Sequence, residues 1–232
     1  TGRWLKLAII KIRQIRKRNK TPILVGGTGL YFNSLINGLV KIPNIPIKFR
    51  NKIRLMQKTY GQNKFYKKLL KIDPKVKDKI NRNDSQRSIR AYEIKSYSKK
   101  SMYDWISQTK PSFKQQEFLK LYINFERKKL IERIEKRTIK MIKLGAVKEV
   151  KKFKTLKLSD HSSVKKIIGI QELGKFLEKK IKIEEAKKLI SIKTRQYAKR
   201  QATWARSKMT TWHRIDPKDF QFWTKKINFL SF

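Results

Sequence analysis

The chain has 232 residues, enough for one ordinary domain or for one domain with a smaller insertion. Its 61 lysine and arginine residues outnumber 17 aspartate and glutamate residues, which gives a formal net charge of +44. A charge of this size disfavours a neutral metabolite as the sole ligand and favours polyanions, nucleic acid before an anionic membrane. Lysine, isoleucine and asparagine are also the residues of A/T-rich codons, so drift in base composition is an alternative source of part of the excess.

The chain has no cysteine, which excludes disulfides, thiolate catalysis and cysteine-based metal sites. Its two histidines, His161 and His213, cannot alone supply the three or four ligands of a zinc site, and we interpret both as surface or packing residues. No apolar run approaches the roughly 18 residues of a membrane span. A cytoplasmic location is the default expectation, with a cleaved targeting segment as the alternative. No predicted helix at a terminus combines a purely basic face with a large apolar one, so we expect no membrane partner.

An amphipathic helix is predicted for the first 20 residues, where Leu5, Ile9, Ile12 and Ile15 recur at spacings of three and four. The short apolar run of residues 23–25 then predicts a buried strand of a parallel sheet. Glycines follow it, and residues 30–36 resume a helical pattern. This order of helix, strand, glycine turn and helix is typical of an α/β layer.

Pro43 marks the start of a basic helical insertion that we expect to extend to about residue 110, with Asp73, Asp84 and Ser101 as helix N-caps. Alternating apolar residues predict a second strand over residues 118–125. Four further helices are predicted, over residues 127–144 (closed by Gly145), 146–156, 163–179 and 183–208. In the last helix Ile190, Tyr197 and Trp204 are predicted to form one buried stripe, and Arg195, Lys199 and Arg206 lie on the opposite side.

Residues 169–175 match the first seven positions of the phosphate-binding loop G-x-x-x-x-G-K. The eighth position requires serine or threonine and is Phe176 here, and the segment lies inside a helical pattern rather than after a strand. We reject it as a nucleotide site.

Two features leave the functional question open. The turn of residues 26–31 brings glycines, Thr28 and a helix start together, which suits an anion but equally suits a tight turn without a ligand. Arg133 and Arg137 lie one helical turn apart, which suits bidentate phosphate binding, although Glu132 and Glu135 nearby favour a solvated salt-bridged face.

Five segments considered together are more specific than any of these features. PILVGGTGLYFNSLINGL, NDSQRSIRAYEI, RIEKR with the following GAVKEV, IIGIQEL and TRQYAKRQATWAR resemble, in order and spacing, the tRNA dimethylallyltransferase (tRNA isopentenyltransferase) family. The resemblance covers about residues 3–216. It implies an α/β fold, with a partial P-loop nucleotide-kinase-like parallel sheet flanked by helices and an all-helical insertion domain.

The resemblance implies that the dimethylallyl group passes from dimethylallyl diphosphate to N6 of the adenosine at tRNA position 37, 3′ to the anticodon, with Mg²⁺ assisting the departure of diphosphate. Arg137 matches the family's diphosphate-stabilising arginine, and Thr28 matches a threonine of the reaction channel near the target adenosine. The implied tRNA contacts are Arg50, Gln86, Arg87, Arg90, Lys165, Lys166, Gly169, Arg195, Lys199 and Arg206. No metal ligand is expected among these residues, and a monomer is expected.

The chain departs from the family pattern in three places. The family's DPQR is Asp84-Ser85-Gln86-Arg87 here, and Ile170-Gln171 replace an aromatic and a basic residue. The family's phosphate-binding loop and aspartate base are not found, and the first residue is Thr1 rather than Met, so we expect an N-terminal truncation and no transfer by these residues alone. A non-catalytic RNA-binding fragment or derivative of the family is the alternative.

The resemblance also suggests a domain division. Residues 1–42 are predicted to be part of the catalytic α/β core, residues 43–110 the tRNA-contacting helical insertion, and residues 111–232 the rest of the core with the C-terminal helices.

Overall fold

A computed structural model describes residues 1–156, 158, 162–219 and 221–222 of the chain. Contacts between Cα atoms divide it into two compact units. The first unit comprises Thr1–Pro22 and Leu30–Phe118, and the second comprises Ile23–Gly29 and the described residues from Leu119 onward. The predicted three-part division at residues 42 and 110 stays a prediction. His161 lies outside the described residues.

All the regular secondary structure of the first unit is helical, as predicted for residues 43–110. Its helices are α1 (Gly2–Arg16), α2 (Gly29–Asn37, with its first residue in the second unit), α3 (Ile47–Ile72, interrupted at Gly61), α4 (Ser85–Ser98) and α5 (Met102–Ser107). The side chains of Asp84 and Ser101 accept hydrogen bonds from the backbone N–H groups of Arg87 and Tyr103, so both predicted N-caps are confirmed. Asp73 precedes only a short 3₁₀ turn and makes no capping hydrogen bond.

The core of the first unit lies between α3 and α4. Leu69, Val76, Ile80 and Ala91 are buried together, and Tyr66 and Tyr92 pack against them. The core of the second unit is formed by Ala146, Val150, Leu173, Ala186 and Ile190. Full burial of a leucine such as Leu69 or Leu173 stabilises the folded state by about 1.5–3 kcal/mol.

The second unit contains a parallel pair of short strands, β1 (Leu121–Ile123) and β2 (His213–Ile215), with Tyr122 opposite Arg214. Its helices are α6 (Arg127–Lys143), α7 (Ala146–Lys154), α8 (Ile170–Leu177) and α9 (Ile183–Lys208). The parallel pairing and the surrounding helices confirm the α/β class, and β1 lies within the predicted second strand.

The predicted buried strand over residues 23–25 is wrong. Ile23 and Val25 are 72% and 91% exposed, and the segment is neither helix nor strand. Backbone groups of a strand need a neighbouring strand as hydrogen-bond partner, and within the described chain only β1 and β2 pair with each other. An apolar run alone was therefore insufficient evidence for a strand.

The predicted continuous helix over residues 163–179 is also wrong, because the chain breaks at Gly169. That glycine has a φ of +107°, which places it outside the helical region, and α8 starts at the next residue. The backbone N–H of Gly169 donates to Glu172 Oε2 at 2.8 Å. Lys193 Nζ on α9 lies 2.5 Å from Glu172 Oε1. The buried carboxylate of Glu172 therefore binds both the backbone at Gly169 and the neighbouring helix α9.

Glu172→Gln is expected to lower the free energy of unfolding by about 1–3 kcal/mol near neutral pH, since hydrogen bonds to a charged group are lost. Burial alone would raise the pKa of Glu172, but the hydrogen bonds from Lys193 and Gly169 hold this pKa below its ordinary value of 4.5. The contribution is therefore present above pH 4.5 and is lost as the pH falls through the folded-state pKa. Urea unfolding of both chains across this range measures the difference.

Glu184→Gln is the matched control, since Glu184 is exposed on the first turn of α9. Its effect is expected to stay within about 0.5 kcal/mol at every pH. Equal effects of the two substitutions, or a Glu172→Gln effect independent of pH, would contradict the assignment.

Candidate functional site

The glycine turn of the second unit packs closely against the C-terminal half of α9. A Cβ atom placed on Gly27 would overlap the amide of Gln201, and one placed on Gly29 would overlap the ring of Trp204. At Gly29 the added atom would meet a rigid ring, so glycine is required there, whereas at Gly27 it would meet the end of a flexible side chain that can shift. Thr28, between the two glycines, is exposed. The side chain of Thr28 is therefore exposed, while the backbone of the turn packs against α9.

One part of the buried stripe predicted on α9 is wrong. Ile190 is buried and Trp204 is half-buried, as expected, but Tyr197 is 43% exposed. The guanidinium of Arg200 lies over the ring of Tyr197 instead, with the Arg200 Cζ atom 5.7 Å from the ring centroid.

Arg137 projects from α6 as an exposed side chain. Neither Glu132 nor Glu135 pairs with it in the described chain, because residues five and two positions earlier do not share its helix face. Glu135 Oε1 instead lies 3.8 Å from Nη1 of Arg195 on α9. Arg133, one turn earlier, lies over the ring of Phe125 at 5.0 Å. In the described part of the chain the Arg137 guanidinium thus keeps its donors available, and the alternative of a salt-bridged face does not apply to it.

The other predicted contacts of the second unit lie on two elements. Lys165 and Lys166 belong to the 3₁₀ turn Ser163–Lys166, which leads into the break at Gly169. Lys199 and Arg206 are exposed on α9, whereas Arg195 is engaged with Glu135. Gly169 is buried, and its backbone N–H already donates to Glu172.

The first unit brings two predicted tRNA contacts to one carboxylate. Arg50 on α3 and Arg90 on α4 both approach Oε2 of Glu93, with Nε of Arg50 at 3.6 Å and Nη1 of Arg90 at 3.1 Å. Gln86 and Arg87 lie one turn before Arg90 on α4 and are both exposed. Arg50 on α3 therefore shares a surface with Gln86, Arg87 and Arg90 on α4, although at least 36 positions separate it from them in the sequence.

Sequence reasoning missed three residues of these arrangements. Arg54 approaches Glu93 Oε1 at 3.9 Å through its Nε atom, and Gln201 supports the glycine turn. Glu93 itself was not singled out. The spacing of four between Arg50 and Arg54, and of three between Arg90 and Glu93, was a visible signal, because such pairs share a helix face.

In residues 1–156, 158, 162–219 and 221–222, no group of three or more histidine, aspartate or glutamate side chains could hold a metal ion. None of these residues is therefore assigned to Mg²⁺. No helix in the same part of the chain is both long and apolar enough to cross a membrane.

The fold and these arrangements define a strongly basic α/β protein with arginine-rich surfaces suited to phosphate. Residues 1–208 match the sequence model of the IPP transferase family. The chain is 62% identical over 227 residues to a tRNA dimethylallyltransferase of Pelagibacter ubique strain HTCC1062, covering 98% of this chain and 72% of that protein. It is 36% identical to a tRNA dimethylallyltransferase of Rickettsia bellii strain OSU 85-389, covering 98% and 73%. The chain belongs to the IPP transferase family.

Solved structures agree with this membership. The full-length tRNA isopentenylpyrophosphate transferase of Bacillus halodurans matches 98% of this chain with a TM-score of 0.60 and 31% identity, over 71% of its own length. A eukaryotic dimethylallyltransferase acting on tRNA matches 96% of the chain with a TM-score of 0.76 and 26% identity, over 58% of its own length.

Gly29→Ala is expected to displace the Trp204 ring and to lower the free energy of unfolding by about 1–3 kcal/mol, as overpacking does. Urea unfolding, together with a change in tryptophan fluorescence of the folded protein, measures both effects. Gly174→Ala on α8 is the matched control, because nothing lies within 4 Å of an added Cβ there. It is expected to be neutral or to stabilise by about 0.5–1 kcal/mol. Similar behaviour of the two variants would show that the turn is loosely packed.

Proposed function

We propose that this protein transfers the dimethylallyl group from dimethylallyl diphosphate to N6 of the adenosine at position 37 of tRNA, 3′ to the anticodon. The observation that carries the proposal is 62% identity, over 98% of the chain, with a tRNA dimethylallyltransferase. A non-catalytic RNA-binding derivative is not favoured, because the relatives matched over nearly the whole chain are transferases.

In the proposed reaction, a bond forms between N6 of adenosine and C1 of the dimethylallyl group. The bond from C1 to the diphosphate oxygen breaks, the electron pair leaves with the diphosphate, and N6 loses a proton. No described residue is assigned as the acceptor of that proton. Negative charge grows on the leaving group as the reaction proceeds, so a fixed cation near it stabilises the transition state more than the ground state.

Arg137 is proposed to supply that cation. Its exposed guanidinium has no ion pair within the described residues, and a guanidinium fork matches two phosphate oxygens at once. Mg²⁺ is proposed to neutralise further charge on the diphosphate, whose oxygens are the type of ligand that magnesium prefers.

Thr28 is proposed to lie in the channel that receives the target adenosine. The supporting contacts are those of Gly27 with Gln201 and of Gly29 with Trp204, which fix the turn around an exposed hydroxyl. A base stacked in the anticodon loop is too enclosed for attack, so it must first leave the stack. The packing of the turn against α9 keeps Thr28 in a fixed position while the adenine base binds.

The remaining basic residues are proposed to hold the tRNA backbone. Contacts to phosphates set the position and orientation of a nucleic acid without reading its sequence. Arg50, Arg87 and Arg90 of the first unit, with Gln86, provide such contacts, and Lys165, Lys166, Lys199 and Arg206 provide them in the second. A cytoplasmic location and a monomeric state stay predictions.

Arg137→Ala in the intact enzyme is expected to lower turnover by about 10²–10³, the usual cost of losing one preorganised donor to a developing charge. The Michaelis constant for tRNA should change little. Arg90→Ala is expected to do the opposite, raising the Michaelis constant for tRNA with turnover at saturation preserved. Steady-state kinetics with each substrate varied in turn distinguishes the two.

The control for Arg137→Ala is Lys136→Ala, which removes the same charge from an adjacent exposed position of α6. Its turnover is expected to stay near that of the unmodified enzyme. A rise of the tRNA Michaelis constant with unchanged turnover in Arg137→Ala would exclude the catalytic role.

The affinity for tRNA is expected to fall steeply with salt, because basic residues release counterions from the phosphates they neutralise. The logarithm of affinity should fall linearly with the logarithm of salt concentration, with a slope of about −0.7 to −0.9 per phosphate and at least about six phosphates. Binding titrations over a range of salt concentrations measure the slope. A nearly flat dependence would mean that the net charge of +44 reflects base composition alone.

A further inference from the structure

Glu93 is a buried carboxylate surrounded by three arginines. It lies on α4 with 1% of its surface exposed. Arg90 Nη1 is a hydrogen-bond donor to Oε2 at 3.1 Å, Arg50 Nε lies 3.6 Å from the same oxygen, and Arg54 Nε lies 3.9 Å from Oε1. We call these four residues the Glu93 cluster.

An ordinary structural ion pair would need one arginine rather than three. The Glu93 cluster carries three positive charges against one negative charge, so the attraction to Glu93 leaves a net positive charge in place. The arginine side chains remain 37% (Arg50), 50% (Arg54) and 41% (Arg90) exposed while Glu93 is buried, so an anion from solution can reach the arginines but not the carboxylate.

The atoms that face Glu93 also matter. Arg50 and Arg54 approach it through Nε, and each guanidinium has five N–H donors in a fixed plane. Their Nη groups have no ion-pair partner in the described chain. A group with several unused donors, on a partly exposed surface of a chain with net charge +44, is suited to bind an external anion.

We propose that Glu93 is a positioning residue that holds Arg50, Arg54 and Arg90 together as a preformed receptor for a phosphate of the tRNA backbone. Three guanidinium groups repel each other and would otherwise spread apart into water. A carboxylate below them fixes their side chains before the ligand arrives, so that less conformational freedom is lost on binding. The proposal rests on the proposed function for the identity of the ligand, and it adds Glu93 and Arg54 to the binding surface.

The test exploits a difference in sign. Glu93→Gln removes a negative charge, so general electrostatic attraction alone predicts tighter binding of tRNA by the variant. Loss of the positioning role predicts weaker binding instead, by about three- to tenfold, with a salt slope smaller by about one phosphate contact, or about 0.7–0.9. Direct titration of the intact protein with tRNA at several salt concentrations measures both quantities, and kinetics should show a raised Michaelis constant for tRNA with turnover preserved.

Glu178→Gln is the matched control for charge. Glu178 accepts hydrogen bonds from Lys154 and then Lys180, which lower its pKa to about 2, so the substitution also removes a full negative charge at neutral pH. It lies in the other unit and is 41% exposed. Binding of tRNA by this variant is expected to be unchanged or slightly tighter, with the same salt slope.

A second variant keeps the proposal testable if Glu93→Gln folds poorly. Arg54→Lys keeps the charge at a half-exposed position but loses the planar fork and the Nε contact with Glu93. Weaker tRNA binding with a normal unfolding transition supports the receptor, whereas unchanged binding overturns it. Binding by Glu93→Gln as tight as that of Glu178→Gln overturns it as well.

The binding titration also separates this proposal from the proposed function. A protein that binds tRNA but transfers no dimethylallyl group would contradict the function, while the comparison of Glu93→Gln with Glu178→Gln would still decide the role of Glu93. Normal transfer with unaffected tRNA binding in both cluster variants would contradict the role of Glu93 alone.

Discussion

Mutual repulsion among basic side chains is the constraint on which the rest of this structure depends. With 17 acidic residues for 61 basic ones, most basic residues cannot have an acidic residue of their own, and folding brings them closer together. Each compact unit contains a buried glutamate that joins two helices by attracting basic groups. Glu93 connects α4 to α3 in the first unit, and Glu172 connects α8 to α9 in the second. Burying a carboxylate is costly, and here its position is made favourable by the surrounding cations.

This use of the few acidic residues determines which cations remain available. Arg195 is engaged with Glu135, and Arg137 on α6 has no acidic partner in the described chain. In the first unit one carboxylate is shared by three arginines, and most of their donors have no partner among the residues that the structure describes. Ion pairing therefore separates Arg195 from Arg137 in the second unit, whereas in the first unit the arginines proposed to contact tRNA are themselves paired, Arg87 with Asp84 and both Arg50 and Arg90 with Glu93.

The helices could be predicted from sequence because their signals are local. The bounds of α9 matched its apolar period, and the cap of α4 followed from Asp84 at its first turn. The strand predicted over residues 23–25 failed because pairing depends on a distant segment. Strand β2 was missed since three residues carry no usable period. For the site, resemblance identified Arg50 and Arg90 individually, but only the packing of α3 on α4 brings them to Glu93.

The Glu93 cluster also distinguishes positive charge that base composition explains from positive charge that requires arginine. The chain contains 45 lysines and 16 arginines, and lysine codons are richer in A and T than most arginine codons. Within the described residues, the three basic side chains that contact Glu93 are nevertheless all arginines. A lysine could supply the same charge but could not contact the carboxylate and an outer anion with different nitrogens of one rigid plane. Over much of this surface, codon bias could therefore replace arginine by lysine without loss of charge. Around Glu93 the planar shape of the guanidinium limits that replacement.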